Sequence, residues 1–115
     1  MLKLTALRDA ADDLASLPTE ALRREALRAL VRAQADPPDR SARLGYHAET
    51  GDLDDCRKIY FDEPDFGGRP RWRIVVRLLP SDVAPTTLEL VAIGRRDRLY
   101  VYLRAARRLR RAGGD

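Results

Sequence analysis

The side chains that could carry out catalysis in this 115-residue chain are mainly arginine, lysine and tyrosine. His47 is the only histidine, so an acid–base pair of two histidines is impossible, and we expect a surface histidine without a role. Cys56 is the only cysteine, so we expect a small buried side chain and no internal disulfide. The acidic residues between 49 and 55 follow no recognised metal-binding spacing, which indicates a solvated loop. The remaining side chains suit chemistry on a phosphate group. Arginine and lysine would bind the phosphate, and tyrosine rings would stack against nucleic-acid bases.

Two segments, CRKIYFD and WRIVVRLL, alternate apolar and polar side chains, which predicts two strands. Because successive side chains of a strand point to opposite faces, Lys58 and Tyr60 share a face, and so do Arg73 and Arg77. If helices cover the apolar face, the opposite face presents cations and rings side by side, as in sheets that bind single-stranded RNA. The alternative is that Arg73 and Arg77 are only solvent-facing strand residues.

The elements that must position these side chains follow from the hydrophobic periodicity. We predict a strand at 2–4, a helix over 7–17, a second helix with Pro18 in its first turn that ends before Pro37, strands at 56–62, 72–79 and 88–93, and a helix over 98–111. Residues 36–55 are predicted to be a polar loop, residues 63–71 an enlarged hairpin connection, and Gly94 the end of the last strand. The order β-α-α-β-β-β-α predicts an α+β fold, with a mostly antiparallel sheet packed against a helical hairpin and a C-terminal helix.

Composition and charge agree with one small domain that meets a polyanion. Apolar residues make up 44% of the chain, which suffices for a single core, and no apolar run is long enough to span a membrane. The first residues turn acidic too early for a signal peptide, so we expect a cytoplasmic protein. Residues 71–115 carry 11 basic and 4 acidic groups, and this concentration of positive charge suits a nucleic acid.

Three segments carry a resemblance to a known family: DDCRKIYFD at 54–62, RWRIVVRLL at 71–79 and LELVAIGRRDRLYVYLRAARRL at 88–109. Together they resemble the second half of RelE-type toxins of the RelE/ParE superfamily. In those toxins the first of three strands is basic, and the second carries an Arg directly after an aromatic residue. The third strand ends in the order Gly, basic residue, Arg, acidic residue. A last helix then begins with a Val-Tyr pair. The resemblance covers roughly residues 44–109, and the N-terminal helices agree in order and length.

The resemblance implies a single RelE-like toxin domain over residues 1–115. Residues 1–35 would form the N-terminal strand and helical hairpin, and residues 56–111 the sheet and C-terminal helix. It also implies the toxin of a type II toxin–antitoxin system, a metal-independent endoribonuclease that needs no cofactor and cuts ribosome-bound mRNA. The partners implied are a cognate antitoxin in a hetero-oligomer, the ribosome and mRNA, and no membrane.

The same resemblance implies roles for particular residues in an attack of the 2′-hydroxyl on the adjacent phosphate. Lys58 matches a basic active-site position, and Arg73 matches the Arg that binds the scissile phosphate. Arg96 matches an Arg that contacts phosphate and protonates the leaving oxygen. Tyr102 matches a Tyr proposed as general base or as a platform for base stacking, although its spacing suits core packing equally well. Further RNA contacts are expected from Tyr60, Arg77, Arg95 and Arg98.

Two features depart from the RelE pattern and keep other functions open. Some relatives carry a second Lys two residues after the first, where this chain has Tyr60, and the 63–71 connection is longer than usual. ParE-like proteins share the fold, lack this catalytic set and poison DNA gyrase, and fold alone does not assign activity. A non-catalytic ParE-like toxin or inactive relative is therefore one alternative, and a simple nucleic-acid-binding domain is the other.

Overall fold

The structure is a computed structural model that describes residues 1–47 and 51–111. In chain order the elements are β1 (Lys3–Ala6), α1 (Arg8–Ala15), α2 (Glu20–Ala35), α3 (Pro37–Arg40), β2 (Ala42–Arg43), β3 (Tyr46–His47), β4 (Gly51–Asp52), β5 (Cys56–Phe61), β6 (Trp72–Leu79), β7 (Thr87–Arg95) and α4 (Tyr100–Arg108). The seven elements predicted from periodicity are all present in the predicted order. No described helix is both long enough and apolar enough to cross a bilayer.

The main sheet has five strands in the order β1-β7-β6-β5-β2. β1 runs parallel to β7, and the other neighbouring pairs are antiparallel. The predicted α+β fold with a mostly antiparallel sheet is therefore confirmed. β5 and β6 form a hairpin in which Phe61 lies opposite Trp72, so residues 62–71 connect them as the enlarged connection that was predicted.

Two apolar clusters cover the two faces of the sheet. On the first face α1 and α2 pack side by side through residues that include Ala10, Leu22 and Leu30, and they cover Ile59 and Ile74 as predicted. We call this the hairpin face. On the second face, α4 covers only part of the sheet, through Val101, Tyr102, Ala105 and Ala106. We call this the α4 face.

β7 is buried on both faces, because it contributes residues to both apolar clusters, and its sequence is nearly continuously apolar as in other central strands. The pairing of β6 with β7 shifts by one residue, so that Val75 lies opposite Ala92 and Val76 opposite Leu90. Val91 is the extra residue of this bulge, and it joins Ala92 in the apolar cluster under α4. The bulge therefore enlarges the surface on which α4 packs.

The prediction that Gly94 ends the last strand is wrong, because β7 continues to Arg95. Gly94 lies opposite Arg73 in the sheet. A Cβ at Gly94 would lie 3.3 Å from Cβ of Val101 and 3.6 Å from the Arg104 guanidinium. The glycine thus allows the first turn of α4 to lie directly against β7.

Three other boundaries differ from expectation. α2 begins at Glu20 rather than around Pro18, because the Thr19 hydroxyl accepts a hydrogen bond from the Leu22 amide and caps the helix. The C-terminal helix is shorter than 98–111. The predicted polar loop at 36–55 contains α3, β2, β3 and β4, since prolines suit the first turn of a helix and very short strands leave no periodic signal.

Side chains from α1 and α4 take the place of a neighbouring strand along part of β7. β1 pairs with β7 only as far as Leu90. Farther along, Asp13 of α1 accepts a hydrogen bond from the Ile93 amide at 2.9 Å, and Arg104 donates to the Ile93 carbonyl at 2.7 Å. Arg108 joins the two helices by an ion pair of 2.7 Å with Asp13. This network fixes the position of α4 relative to the sheet.

We expect Gly94→Ala to lower the free energy of unfolding by about 1–3 kcal/mol, the usual effect of overpacking. The added methyl group meets Val101 at a distance that forces α4 to move by a few tenths of an ångström. Urea unfolding followed by circular dichroism measures the change. Gly67→Ala is the matched control, because nothing lies within 4 Å of the Cβ added there. Equal unfolding midpoints for the two variants would contradict the proposed contact.

Candidate active site

Tyr60 and Arg73 lie directly opposite each other on β5 and β6, with their side chains on the α4 face. The guanidinium carbon of Arg73 lies 5.2 Å from the centre of the Tyr60 ring. Lys58 is two residues before Tyr60 on the same face, and its Nζ lies 5.4 Å from the centre of that ring. The predicted face of alternating cations and rings therefore exists, and strand register brings these three side chains together.

Tyr102 completes this group from α4. Its ring centre lies 4.9 Å from the Arg73 guanidinium carbon, so Arg73 contacts one tyrosine ring from the sheet and another from the helix. The two rings differ in access to solvent: Tyr60 is 41% exposed and Tyr102 only 4%. We call Lys58, Tyr60, Arg73 and Tyr102 the cationic cluster.

Arg73 is a cation without an anionic partner among the residues that the structure describes. Ring faces attract its guanidinium, and its Nε is buried without a hydrogen-bond partner. Other partly buried arginines, such as Arg71 and Arg77, are neutralised by carboxylates. A guanidinium that no described carboxylate neutralises, near the ammonium of Lys58, is suited to bind an anion such as phosphate.

The two tyrosines of the cationic cluster have opposite pKa shifts. At Tyr60, burial opposes ionisation, but the hydrogen bond from Lys58 and the charges of Arg73 and Lys58 outweigh it and lower the pKa below its ordinary value. At Tyr102, burial dominates and raises the pKa to about 12, although Arg73 acts in the other direction; the nearby Tyr60 hydroxyl adds to the increase. Tyr60 is therefore the easier of the two hydroxyls to deprotonate.

Arg96 lies just beyond the end of β7, near the cationic cluster. Its amide donates to the Arg71 carbonyl at 2.8 Å, which continues the pairing of β6 and β7 by one residue. Since Gly94 pairs with Arg73, alternation directs Arg96 toward the α4 face, about 7 Å farther along the strand. Strand alternation therefore places Arg96 on the side of the sheet that carries Arg73, and its role toward RNA stays a prediction.

The structure does not bring the predicted RNA contact Arg77 to the cationic cluster. Arg77 faces the same side of the sheet, but it pairs with Cys56, four positions along β6 from Arg73. Its Nε and Nη2 donate to Glu89 at 3.0 and 2.8 Å. This guanidinium is already bidentate to a carboxylate oxygen, so its use for RNA stays a prediction.

Arg95 and Arg98 also lie apart from the cluster. Arg95 pairs with Trp72, and its guanidinium lies 5.4 Å from the centre of the Trp72 ring, on the hairpin face. Arg98 is exposed in the link between β7 and α4, with a φ of 53°. It donates to the Tyr100 hydroxyl at 3.1 Å. Both remain predicted RNA contacts outside the cluster.

Sequence reasoning missed an ion pair at the base of the 62–71 connection. Asp62 accepts hydrogen bonds from the Arg71 amide, Nε and Nη2 at 2.8–2.9 Å, and this bonding holds the pKa of Asp62 well below its usual range. The Arg71 guanidinium carbon also lies 3.9 Å from the centre of the Phe66 ring. The hairpin register contained a signal for the pair, because Tyr60 opposite Arg73 puts Asp62 opposite Arg71. The connection is therefore folded back on itself, and its Arg69 contributes to the lowered pKa of Tyr60.

The remaining sequence candidates lie away from this chemistry. Cys56 is fully buried as expected, and burial raises the pKa of its thiol to about 12. Part of the acidic segment, including Glu49, lies outside the described residues. Within residues 1–47 and 51–111, no group of three or more His, Cys, Asp or Glu side chains is arranged to hold a metal ion.

The fold matches solved structures of RelE toxins. A mutant of E. coli RelE in the free state superposes with a TM-score of 0.63 and 18% identity, over 94% of this chain and 97% of that one. The isolated E. coli RelE toxin gives a TM-score of 0.61 at 18% identity, over 95% and 99%. The RelBE2 toxin–antitoxin complex from Mycobacterium tuberculosis gives 0.52 at 19% identity, over 83% and 98%.

Sequence comparisons add no closer relationship. No protein-family model matches the chain, and no curated protein matches its sequence. The solved structures therefore establish that the chain has the RelE fold, which confirms the fold implied by the resemblance of residues 44–109.

Proposed function

We propose that this protein is the toxin of a toxin–antitoxin system and cleaves ribosome-bound mRNA in the cytoplasm. The observation that carries the proposal is the cationic cluster: Arg73, without a carboxylate partner among the described residues, lies between two tyrosine rings and near Lys58. The RelE fold supports it, because the matched positions of RelE-type toxins carry basic residues and a Tyr that act on RNA.

Arg73 binds the scissile phosphate in this proposal. Its guanidinium offers donors in a fork that fits two phosphate oxygens, and the surrounding rings hold it in place before substrate arrives. A donor held ready for the charge that develops on the phosphate stabilises the transition state more than the ground state. The ammonium of Lys58 adds a second positive charge on the same side.

Tyr60, rather than Tyr102, is proposed as the proton acceptor. The RelE pattern associates Tyr102 with a general base or a stacking platform, but in this chain Tyr102 is buried and its pKa is about 12. Tyr60 is exposed to solvent, and its pKa is lowered by Lys58 and Arg73. A general base works best when its pKa approaches the ambient pH. Tyr60 also occupies the position where some RelE relatives carry a second lysine.

The proposed reaction balances without a metal or cofactor. Tyr60 takes the proton of the 2′-hydroxyl, the 2′-oxygen bonds to phosphorus, and the bond to the 5′-oxygen breaks. The products are a 2′,3′-cyclic phosphate and a free 5′-hydroxyl. Arg96, on the same face beyond β7, contacts the departing group and supplies its proton. Tyr102 orients Arg73 through its ring.

An antitoxin is the proposed protein partner, in a hetero-oligomer. One of the matched structures is itself a toxin–antitoxin complex. On α2 of this chain, Leu27 and Val31 are exposed one helical turn apart, which leaves an apolar strip for another chain to cover. An acidic partner segment that reaches the cationic cluster would bind in a salt-sensitive manner.

The test is the addition of purified protein to translating ribosomes, with new mRNA 5′ ends mapped by primer extension. We expect cleavage within ribosome-bound mRNA, none of the same mRNA without ribosomes, and suppression when the co-expressed antitoxin is added. Gyrase-linked DNA breaks in place of mRNA cleavage would favour a ParE-like toxin. RNA binding with neither kind of damage would favour a nucleic-acid-binding domain.

A further inference from the structure

A groove of about 380 Å³ runs from the cationic cluster around the outer edge of β5. β2 pairs with β5 only at Arg57 and Lys58, and the groove opens where that pairing stops. One wall is formed by Lys58, Ile59 and Tyr60 of β5. The opposite wall includes Arg32 of α2 and Arg40 of α3. We call this space the edge groove.

The edge groove is positively charged and continuous with the cationic cluster. Lys58 and Tyr60 belong to both, so the groove and the cationic cluster share these two side chains. Three cations line the groove, and Asp39 is the one carboxylate among its lining residues. Arg32 and Arg40 are exposed, and within the described residues neither forms an ion pair.

We propose that the edge groove binds the backbone of single-stranded RNA on one side of the scissile phosphate, with Arg32 and Arg40 in contact with its phosphates. The proposal rests on RNA as the substrate of the cationic cluster. A strand whose scissile phosphate lies on Arg73 passes Lys58 and Tyr60 and leaves the sheet at the edge of β5. There the two arginines of the far wall meet the next phosphates, and such contacts position a strand without reading its sequence.

RNA fits this groove better than an acidic polypeptide does. The apolar lining consists of Ile59 and the two alanines Ala29 and Ala42, which offers little depth for the apolar side chains that anchor a bound peptide. Cations spaced along a groove next to an exposed aromatic ring are instead the arrangement that holds a nucleic-acid backbone. An acidic peptide therefore serves as the comparison in the test.

Binding of a fluorescently labelled 2′-O-methyl hexanucleotide, which cannot be cleaved, tests the proposal off the ribosome. We expect R32A/R40A to raise its Kd on the order of 10-fold, since each exposed arginine loses one solvent-screened charge contact. The slope of log affinity against log salt should fall by about 1.4, for two phosphate contacts to a single strand. The matched control is R24A/R28A, which removes two exposed arginines from α2 outside the groove lining. This control should change the Kd less than 2-fold.

Each possible result separates the groove from the proposed cleavage. Equal losses of RNA affinity in R32A/R40A and R24A/R28A would show a general effect of charge. That result would overturn the groove proposal and leave the cleavage proposal untouched. An equal loss of affinity for hexaglutamate would assign the groove to an acidic protein segment and also overturn it. Groove-dependent RNA binding by a protein that does not cleave ribosome-bound mRNA would leave the groove standing and overturn the cleavage proposal. A wild-type protein that binds no RNA would overturn the groove, whereas the cleavage proposal is decided by the ribosome assay.

Discussion

Arg73→Ala is expected to lower the rate of mRNA cleavage by about 10²–10³-fold, the usual effect of losing one preorganised donor to an oxyanion. The rings of Tyr60 and Tyr102 hold the Arg73 guanidinium, and no carboxylate among the described residues pairs with it, so the scissile phosphate would lose its main bidentate partner. Single-turnover cleavage on saturating ribosomes measures the effect. Arg73→Lys should be intermediate, because it keeps the charge and loses the fork.

Arg24→Ala is the control for the loss of one positive charge, since Arg24 is exposed on α2 and only contacts Glu20 at 4.0 Å. Its cleavage rate should equal that of the wild type. If Arg73→Ala and Arg96→Ala both cleave at wild-type rates, the assignment of these residues is wrong. A non-catalytic toxin then becomes the better explanation of the fold.

Tyr60→Phe is expected to lower the cleavage rate by about 10²–10⁴-fold, the usual contribution of a positioned general base. Phenylalanine keeps the ring that contacts Arg73 and removes only the hydroxyl. Tyr102→Phe should retain most activity, because the buried hydroxyl of Tyr102 has a pKa of about 12 and stays protonated in the working range. Tyr102→Ala should lose activity, since the ring 4.9 Å from Arg73 would be absent.

The pH dependence of the rate gives a second distinction between the tyrosines. A general base must be deprotonated, so the rate should rise with pH and level off above the pKa of that base. Because the pKa of Tyr60 is lowered, the plateau should begin below pH 10, the ordinary value for tyrosine. This rise should disappear in Tyr60→Phe and persist in Tyr102→Phe. The reverse pattern would give the role of base to Tyr102.

Strand periodicity predicted much of the candidate site. Side chains in a strand alternate between the two faces of the sheet. Alternation therefore placed Lys58 and Tyr60 of β5 on one face, and it placed Arg73 of β6 on the polar face of its own strand. The apolar positions between them required helices on the opposite face, and α1 and α2 lie there. Local pattern was sufficient here because each strand has one face covered by the helical hairpin.

The use of each arginine was not contained in the sequence pattern. Arg73 and Arg77 lie on the same face of β6, and each is flanked by apolar residues. Glu89 of β7 nevertheless neutralises only Arg77. The folded connection that brings Arg69 near Tyr60 was equally hidden, since it depends on the contacts of Arg71 with Asp62 and Phe66. Periodicity gives the face of each side chain, whereas these pairings also depend on strand register and on irregular backbone.

The sequence by itself therefore determined the order of the elements, the faces of the strands and the kinds of side chain available for chemistry on phosphate. Only the tertiary structure decided which tyrosine is exposed and which is buried. α4 packs against Gly94 and buries Tyr102, while β2 stops short of Tyr60 and leaves it open. The physical reason is that burial and neighbouring charge set the pKa of a hydroxyl, and both come from elements distant in the chain.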